Sequence, residues 1–258
     1  MLLLAFDTAT PAVTVALHDG THVLAETTTV DARRHGELLA SSIDAVLAEA
    51  GAGRLDITAV AAGTGPGPYT GLRAGLVTAR VLGSALGVPV YGIGTLDVIA
   101  ADAAAAAGGR EFIVATDARR REVYWARYDA TGRRVDGPAV GIPADVAERI
   151  AARHGAPAGH GAPGGQTAPD PTAPAGRTPP AGHATPGTQG ILAAGAGALL
   201  YPGVLGEAIE PSYPAAGTLA RLAAHQLAAG APASGAEPIY LRRPDARVPG
   251  PPKRVTVP

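Results

Sequence analysis

The sequence contains no cysteine. This excludes disulfide bonds, thiolate metal ligands and a cysteine nucleophile. Positive and negative charges nearly balance, with 21 Lys and Arg against 22 Asp and Glu. Such a chain has no strong field to attract a polyanion, so any affinity for nucleic acid must come from elsewhere. The apolar run at the N-terminus is too short for a membrane span or a signal peptide. We therefore expect a cytoplasmic protein with no membrane contact.

Large apolar residues are absent from residues 154–190, which contain no Val, Ile, Leu, Phe, Tyr, Trp or Met. A segment of this composition cannot bury enough surface to offset the entropy lost on ordering. We expect a disordered insertion there, with no catalytic residue. Three prolines within residues 249–252 predict a flexible tail over residues 246–258.

The most informative stretch is a strand, turn and helix between residues 56 and 87. The turn is rich in glycine and proline, and glycine permits positive φ and close backbone approach. It lacks the Lys-Ser or Lys-Thr pair of a Walker A loop and misses the dinucleotide fingerprint by one position. Thr70 is placed to cap the following helix. The residues that define this glycine-rich turn are Gly63, Gly65, Gly67, Tyr69, Thr70 and Gly71.

The helix predicted over residues 72–86 is apolar on nearly every side. One stripe contains Leu72, Leu76 and Gly83, and a second contains Val77 and Val81 on a different face. A helix with two apolar stripes is either buried in its own domain or shared with another chain. We expect the first stripe to be core, and the pattern leaves open whether the second faces a partner.

The chain also contains a weak internal repeat. Residues 2–7 and 112–117 are both apolar strands that end in aspartate, and the residues at +6, +9 and +12 from Asp7 and from Asp117 are identical. This predicts two related α/β halves, each opening with a β-hairpin. We place the N-terminal domain at residues 1–108. The C-terminal domain covers residues 109–245 and is interrupted by the insertion.

Asp7 and Asp117 are candidate functional residues because each ends a strand, where α/β folds place such groups. In duplicated nucleotide-binding folds, two such aspartates flank a magnesium-phosphate cleft. The alternative is that both stabilise turns, Asp7 by accepting from Thr10 and Asp117 by fixing an arginine-rich bend. No glycine follows Asp7, so the phosphate cradle is incomplete. His18 and His22 flank a turn, and we expect solvated hairpin residues instead of metal ligands.

Several motifs together resemble the bacterial TsaB family, also called YeaZ. The most specific of them is the Gly-Pro-Gly-x-[Phe/Tyr]-Thr-Gly-Leu-Arg pattern at residues 65–73, and the resemblance covers essentially the whole chain outside the insertion and the tail. The remaining motifs lie at residues 6–10, 34–39, 89–96 and 238–242. The resemblance implies an actin-like ATPase (ASKHA) fold of two duplicated α/β domains, each opening with a β-hairpin meander.

The same resemblance implies a role in forming N6-threonylcarbamoyladenosine at position 37 of tRNA. A TsaB-like chain is a non-catalytic scaffold that binds the transferase TsaD and the ATPase TsaE, and it meets tRNA only through that complex. The resemblance also implies that the chain itself needs no cofactor or metal, while the complex uses ATP and Mg²⁺. Whether the chain also forms a homodimer alone stays open. The resemblance implies a partner interface on the first two helices, formed by Leu38, Leu39, Ser42, Ile43, Val46, Arg73, Leu76, Val77 and Arg80.

Two other functions remain open at this point. An actin-fold small-molecule kinase or ATPase would use Asp7 and Asp117 around Mg-ATP, in which case Thr8 and Thr10 belong to the same phosphate site. In a TsaB-like chain that site is vestigial. A metallopeptidase is the third reading, but the first helix offers only His35 followed by Leu39 where TsaD-like proteins carry a metal-binding histidine pair.

Overall fold

The structure is a computed structural model that describes residues 1–31, 34–154, 190–233 and 235–242. Residues 155–189, which make up nearly all of the predicted insertion, and residues 243–258, which include the predicted tail, lie outside the described residues. The strands are β1 (Leu3–Asp7), β2 (Ala12–His18), β3 (Val23–Val30), β4 (Ala59–Gly63), β5 (Val90–Ile93), β6 (Phe112–Asp117), β7 (Val123–Tyr128), β8 (Arg134–Gly141), β9 (Leu192–Ala194) and β10 (Glu207–Ile209).

Six α-helices and one short 3-10 helix (Arg54–Asp56) connect these strands in the described part of the chain. No helix among the described residues is both long and apolar enough to span a bilayer. The helices are α1 (His35–Glu49), α2 (Tyr69–Leu86), α3 (Thr95–Ala106), α4 (Pro143–His154), α5 (Ala196–Leu200) and α6 (Ala216–Ala228).

The strands form two five-stranded sheets with the same topology. The first has the order β3-β2-β1-β4-β5, and the second has the equivalent order β8-β7-β6-β9-β10. In each sheet the first three strands are antiparallel neighbours, and the last two lie parallel to the opening strand. The predicted hairpin-led duplication, and with it the actin-like fold class, is confirmed.

The central strands are buried on both faces because helices cover each side. β1 is buried along its whole length, as its continuous apolar run predicts for a strand inside a sheet with helices on both faces. On one face α1 and α2 pack against the first sheet. Their contribution to that core is Leu39, Ile43, Val46, Leu47, Leu72, Leu76 and Ala79.

The last helix of each half packs against the sheet of the other half. Leu219 and Ala223 of α6 pack against Leu3 and Ala5 of β1, and Ile99 of α3 packs in the core of the second sheet. The two sheets therefore share their cores through exchanged helices. The domain boundary at residue 108 stays a prediction, but the helix just before it packs on the second sheet.

Candidate functional site

The glycine-rich turn packs directly on the turn between β1 and β2. A Cβ at Gly63 would lie 1.9 Å from Oδ2 of Asp7, and a Cβ at Gly67 would lie 2.1 Å from the carbonyl oxygen of Ala9. These positions admit only glycine, since any side chain would displace the first hairpin. The predicted cap is wrong: Pro68 occupies the N-cap without a side-chain bond, and Thr70 lies exposed in the first turn of α2.

Asp7 points inward and holds this turn in place. Its Oδ1 accepts from the Ala9 N–H at 2.6 Å, and its Oδ2 accepts from the Thr95 hydroxyl at 2.7 Å. The Thr95 oxygen in turn accepts from the Gly65 N–H at 3.1 Å. Asp7 is only 1% exposed, and burial raises the pKa of its carboxyl group. These bonds agree with a turn-stabilising role for Asp7, but the predicted bond from Thr10 is wrong, because the contacts come from Ala9 and Thr95.

Thr8 ties the first hairpin to α2. Its hydroxyl donates to the Gly71 carbonyl at 2.7 Å and accepts from the Gly75 N–H at 3.0 Å. Those two backbone groups are one helical turn apart, so the hydroxyl bridges neighbouring turns of the helix. The close approach requires glycine, since a Cβ at Gly75 would lie 2.5 Å from the Thr8 oxygen.

Asp117, the counterpart of Asp7, fixes the arginine-rich bend of the second hairpin. Its Oδ1 accepts from the Arg119 N–H at 2.7 Å, and its Oδ2 lies 3.3 Å from the Arg119 guanidinium. Arg119, Arg120 and Arg121 all have positive φ, a conformation that costs energy for residues other than glycine. The turn-stabilising alternative is therefore confirmed for Asp117.

A cavity of about 280 Å³ separates the two hairpin turns. Thr8, Thr10 and Asp117 of the predicted phosphate site line it, together with His35 and Arg119, but Asp7 does not. The ring Nε2 of His35 lies 2.9 Å from the Thr10 carbonyl oxygen. The cavity lies just below the range of about 300–1,000 Å³ that is usual for small-molecule sites.

These residues do not fit a magnesium nucleotide. The Asp7 carboxylate and the Thr8 hydroxyl are already occupied by contacts inside the protein, and Thr8 stands where a phosphate cradle needs glycine. Among the described residues, no group of three or more His, Asp or Glu side chains could hold a metal ion. His18 is buried, and its Nδ1 accepts from the Gly20 N–H at 2.9 Å. The expectation of a solvated His18 is therefore wrong.

Helix α2 has one face in the core and one face in solvent. Leu72, Leu76, Ala79 and Gly83 are buried, which confirms the first stripe as core. Val77 and Val81 are 57% and 59% exposed. Tyr69, Arg73, Val77 and Val81 recur at intervals of four, so they form one row along the helix surface. Val77 and Val81 are thus neighbouring exposed apolar side chains on this row.

Comparison with known proteins gives the family of the chain. A protein-family model described as TsaD, tRNA N6-adenosine threonylcarbamoyltransferase, matches residues 22–170, more than half of the chain. The Escherichia coli protein named tRNA threonylcarbamoyladenosine biosynthesis protein TsaB is 38% identical over 135 residues. The solved structure of YeaZ from Pseudomonas aeruginosa covers 93% of this chain and 100% of that chain, with a TM-score of 0.65 and 27% identity. This chain belongs to the TsaB/YeaZ family.

The sequence matches to curated relatives cover about half of this chain. An uncharacterised Mycobacterium tuberculosis protein is 52% identical over 150 residues, which are 56% of this chain and 66% of that protein. The match to E. coli TsaB covers 50% of this chain and 55% of that protein. The chain thus spans between about half and two thirds of the length of these curated relatives.

The structure narrows the partner interface predicted from the TsaB/YeaZ resemblance. Leu39, Ser42, Ile43, Val46 and Leu76 are buried within the protein's own first core. Their assignment to a partner surface is wrong, because α1 and α2 turn these stripes towards the first sheet. Leu38 is half-buried. Arg73, Val77 and Arg80 are exposed, and their assignment to the interface stays a prediction.

The segment that closes the described chain contributes to the α2 surface, which the sequence did not predict. Tyr240 accepts from the Arg73 Nε at 3.2 Å, and Glu237 pairs with Arg80 at 2.7 Å. These residues are 157–167 positions apart in sequence. The motif at residues 238–242 marked the segment as part of the TsaB/YeaZ pattern, but no local signal placed it beside α2.

Proposed function

We propose that this chain is a non-catalytic partner subunit in the synthesis of N6-threonylcarbamoyladenosine in tRNA. It docks on a TsaD-like transferase, and a TsaE-like ATPase joins the pair. The proposal takes the process from the E. coli relative, which is named for tRNA threonylcarbamoyladenosine biosynthesis. It takes the docking role from the surface of α2.

The exposed valines of α2 carry this proposal. Val77 and Val81 lie on a helix whose opposite face already anchors the core. Burying both side chains would contribute about 25 cal/mol per Å² of apolar area removed from water. Arg73 and Arg80 lie beside the valines, and surface charges of this kind can remain solvated at the polar edge of a protein interface.

The charges of α1 and α2 indicate what kind of chain would cover them. Helix α1 contains no Lys or Arg and exposes Glu37 and Glu49, whereas α2 contains no Asp or Glu and exposes Arg73 and Arg80. The two helices are neighbours. A second chain with the same fold and the same charge pattern on these two helices, rotated by a half turn, would place an acidic helix over α2 and a basic helix over α1. An actin-like homologue with this charge pattern is therefore a partner that suits this surface.

The remaining parts of the complex would supply the chemistry. The partner subunits would use ATP and Mg²⁺, and tRNA would be held mainly by the assembled complex. The net charge of −1 supports this division, because the chain has no excess of positive charge for phosphate contacts.

The alternative of an actin-fold kinase or ATPase finds less support. It requires Asp7 in the cleft, whereas Asp7 is buried and bonded to Thr95. Titration of the purified chain with Mg-ATP would revive this alternative if binding were tight, dependent on Mg²⁺ and lost in Asp7→Ala.

Deletion of the gene in its native host tests the proposed process. We expect N6-threonylcarbamoyladenosine to disappear from, or fall strongly in, the nucleosides of bulk tRNA, and to return when the wild-type gene is restored. Mass spectrometry of digested tRNA measures this directly. An unchanged level of the modified nucleoside in the deletion strain would remove the proposed function.

A further inference from the structure

Residues 236–242 form a segment, here called the closing segment, that lies along α2 and the glycine-rich turn. Its Ile239 N–H donates to the Thr64 carbonyl at 2.9 Å. Arg80 of α2 donates to the Ala236 carbonyl at 3.0 Å and pairs with Glu237. The middle of the closing segment is therefore bonded to the glycine-rich turn, and the start of the segment is bonded to α2.

A cluster of two aromatic rings and one guanidinium forms where the closing segment meets the start of α2. The rings of Tyr69 and Tyr240 are stacked with their centroids 5.8 Å apart. The guanidinium carbon of Arg73 lies 3.8 Å from the centroid of the Tyr69 ring, and its Nε donates to the Tyr240 hydroxyl at 3.2 Å. Each member thus contacts both of the others.

This cluster remains accessible from solvent. Tyr69 is 52% exposed and Tyr240 is 47% exposed, so about half of each residue remains in water. The Arg80–Glu237 pair is also exposed, and exposed ion pairs add little to the stability of a protein. The contacts pre-order these side chains at the surface without burying them, which lowers the entropy cost of a later association.

The cluster is continuous with the apolar row of α2. Tyr69 and Arg73 are the first two members of the row that continues through Val77 and Val81, and Tyr240 widens its first turn. Tyrosine and arginine are the residue types most often found at the energetic centre of protein interfaces. The row and the cluster together contain no acidic side chain, and the one acidic residue of the closing segment, Glu237, is paired with Arg80. This surface suits a partner helix that carries Asp or Glu.

We propose that the closing segment forms part of the docking surface, with Tyr240 as its main contact residue. The occupant is the same actin-like transferase that the proposed function requires, and the inference rests on that function. The partner covers the Tyr69–Arg73–Tyr240 cluster together with Val77 and Val81, so the interface combines a helix from the start of the chain with a segment from its end.

Calorimetric titration of the purified TsaD-like transferase with Tyr240→Ala tests this inference. We expect the dissociation constant to rise at least about tenfold, as for a tyrosine at the centre of an interface. Tyr240→Phe keeps the ring and removes only the bond to Arg73, so we expect a smaller rise. Leu199→Ala, a change of a similarly exposed side chain on the second sheet's helix, is the matched control and should bind like wild type.

Hydrogen exchange gives a second readout that does not depend on a variant. Saturating transferase should slow exchange at residues 239–242 as well as on α2. If Tyr240→Ala binds like wild type and these amides exchange at the same rate with and without transferase, the inference is overturned while the proposed function stands. If wild type does not bind the transferase at all, both fail.

Discussion

The two halves of the molecule have the same strand order but differ in the helix that follows the fourth strand. In the first half this helix, α2, has 18 residues, and in the second half its counterpart, α5, has 5. At about 1.5 Å per residue, α2 is roughly 27 Å long and α5 roughly 8 Å. At this position, only the first half thus has a helix long enough to present a row of side chains over several turns. The two halves thus share the strand order of the sheet but not the helix that follows the fourth strand.

The two aspartates that end the first strand of each half, Asp7 and Asp117, differ in burial and in the contacts they make. Asp7 is buried and connects the first hairpin, through Thr95, to the glycine-rich turn. The Asp117 side chain is 21% exposed and contacts only its own bend among the bonds described above. Residues at equivalent positions of a duplicated fold can therefore have different structural roles. In the first half, the aspartate stabilises the turn from which α2 starts.

The largest expected effect is on the free energy of unfolding, and it distinguishes a buried leucine of α2 from an exposed leucine of α5. Leu76→Ala removes a buried side chain and should lower the free energy of unfolding by about 2–5 kcal/mol. The same substitution at Leu199 of α5, which is 60% exposed, should change it by less than about 0.5 kcal/mol. Urea denaturation of both variants measures the difference. Equal, small effects would mean that Leu76 is not core and would restore it to the partner surface.

A smaller effect distinguishes the two aspartates. Asp7→Asn disturbs the buried bonds to Ala9 and Thr95 and should cost about 1–3 kcal/mol near pH 4. Asp117→Asn weakens a partly exposed pair with Arg119 and should cost less than about 1 kcal/mol. Denaturant titration of both variants beside wild type checks this order. A larger loss in Asp117→Asn would reverse the comparison of the two halves.

The pH dependence of Asp7→Asn provides a further check on the same variant. Burial raises the pKa of Asp7 above its usual 3.8, so the folded chain retains a proton that the unfolded chain has lost. The wild-type free energy of unfolding should therefore fall as pH rises above about 4, through the interval between the unfolded and folded pKa values. Asp7→Asn lacks this proton, so its deficit relative to wild type should shrink with rising pH. A deficit that grows would contradict a raised pKa.

The fold could be predicted from the sequence because its signals are local. Apolar strands ending in aspartate, the glycine-rich turn and the repeated hairpin all lie within short windows. Strand β8 was missed because it contains Gly137 and Pro138, which argue against a strand. Helix α4 was also missed, although Val146 and Ile150 recur at helical spacing.

The candidate site was harder to predict because its contacts join distant parts of the chain. The stripe pattern of α2 predicted Leu76 as core, whereas the family resemblance placed Leu76 at the partner interface. Only the packing decides between the two, and only the packing shows that Leu39 faces the sheet while Val77 faces solvent. Tyr240 lies 167 residues from Arg73, so no local pattern could pair them. The inward position of Asp7 depends on Thr95, which is likewise remote in sequence.

The most direct test of the docking account is a calorimetric titration of the TsaD-like transferase with Val81→Asp. A charge placed in the apolar row should weaken binding at least about tenfold, while Leu199→Asp, at an equally exposed position on α5, should bind like wild type. Both variants should stay folded because both positions are exposed. Binding of Val81→Asp with wild-type affinity would contradict the claim that α2 is the docking helix.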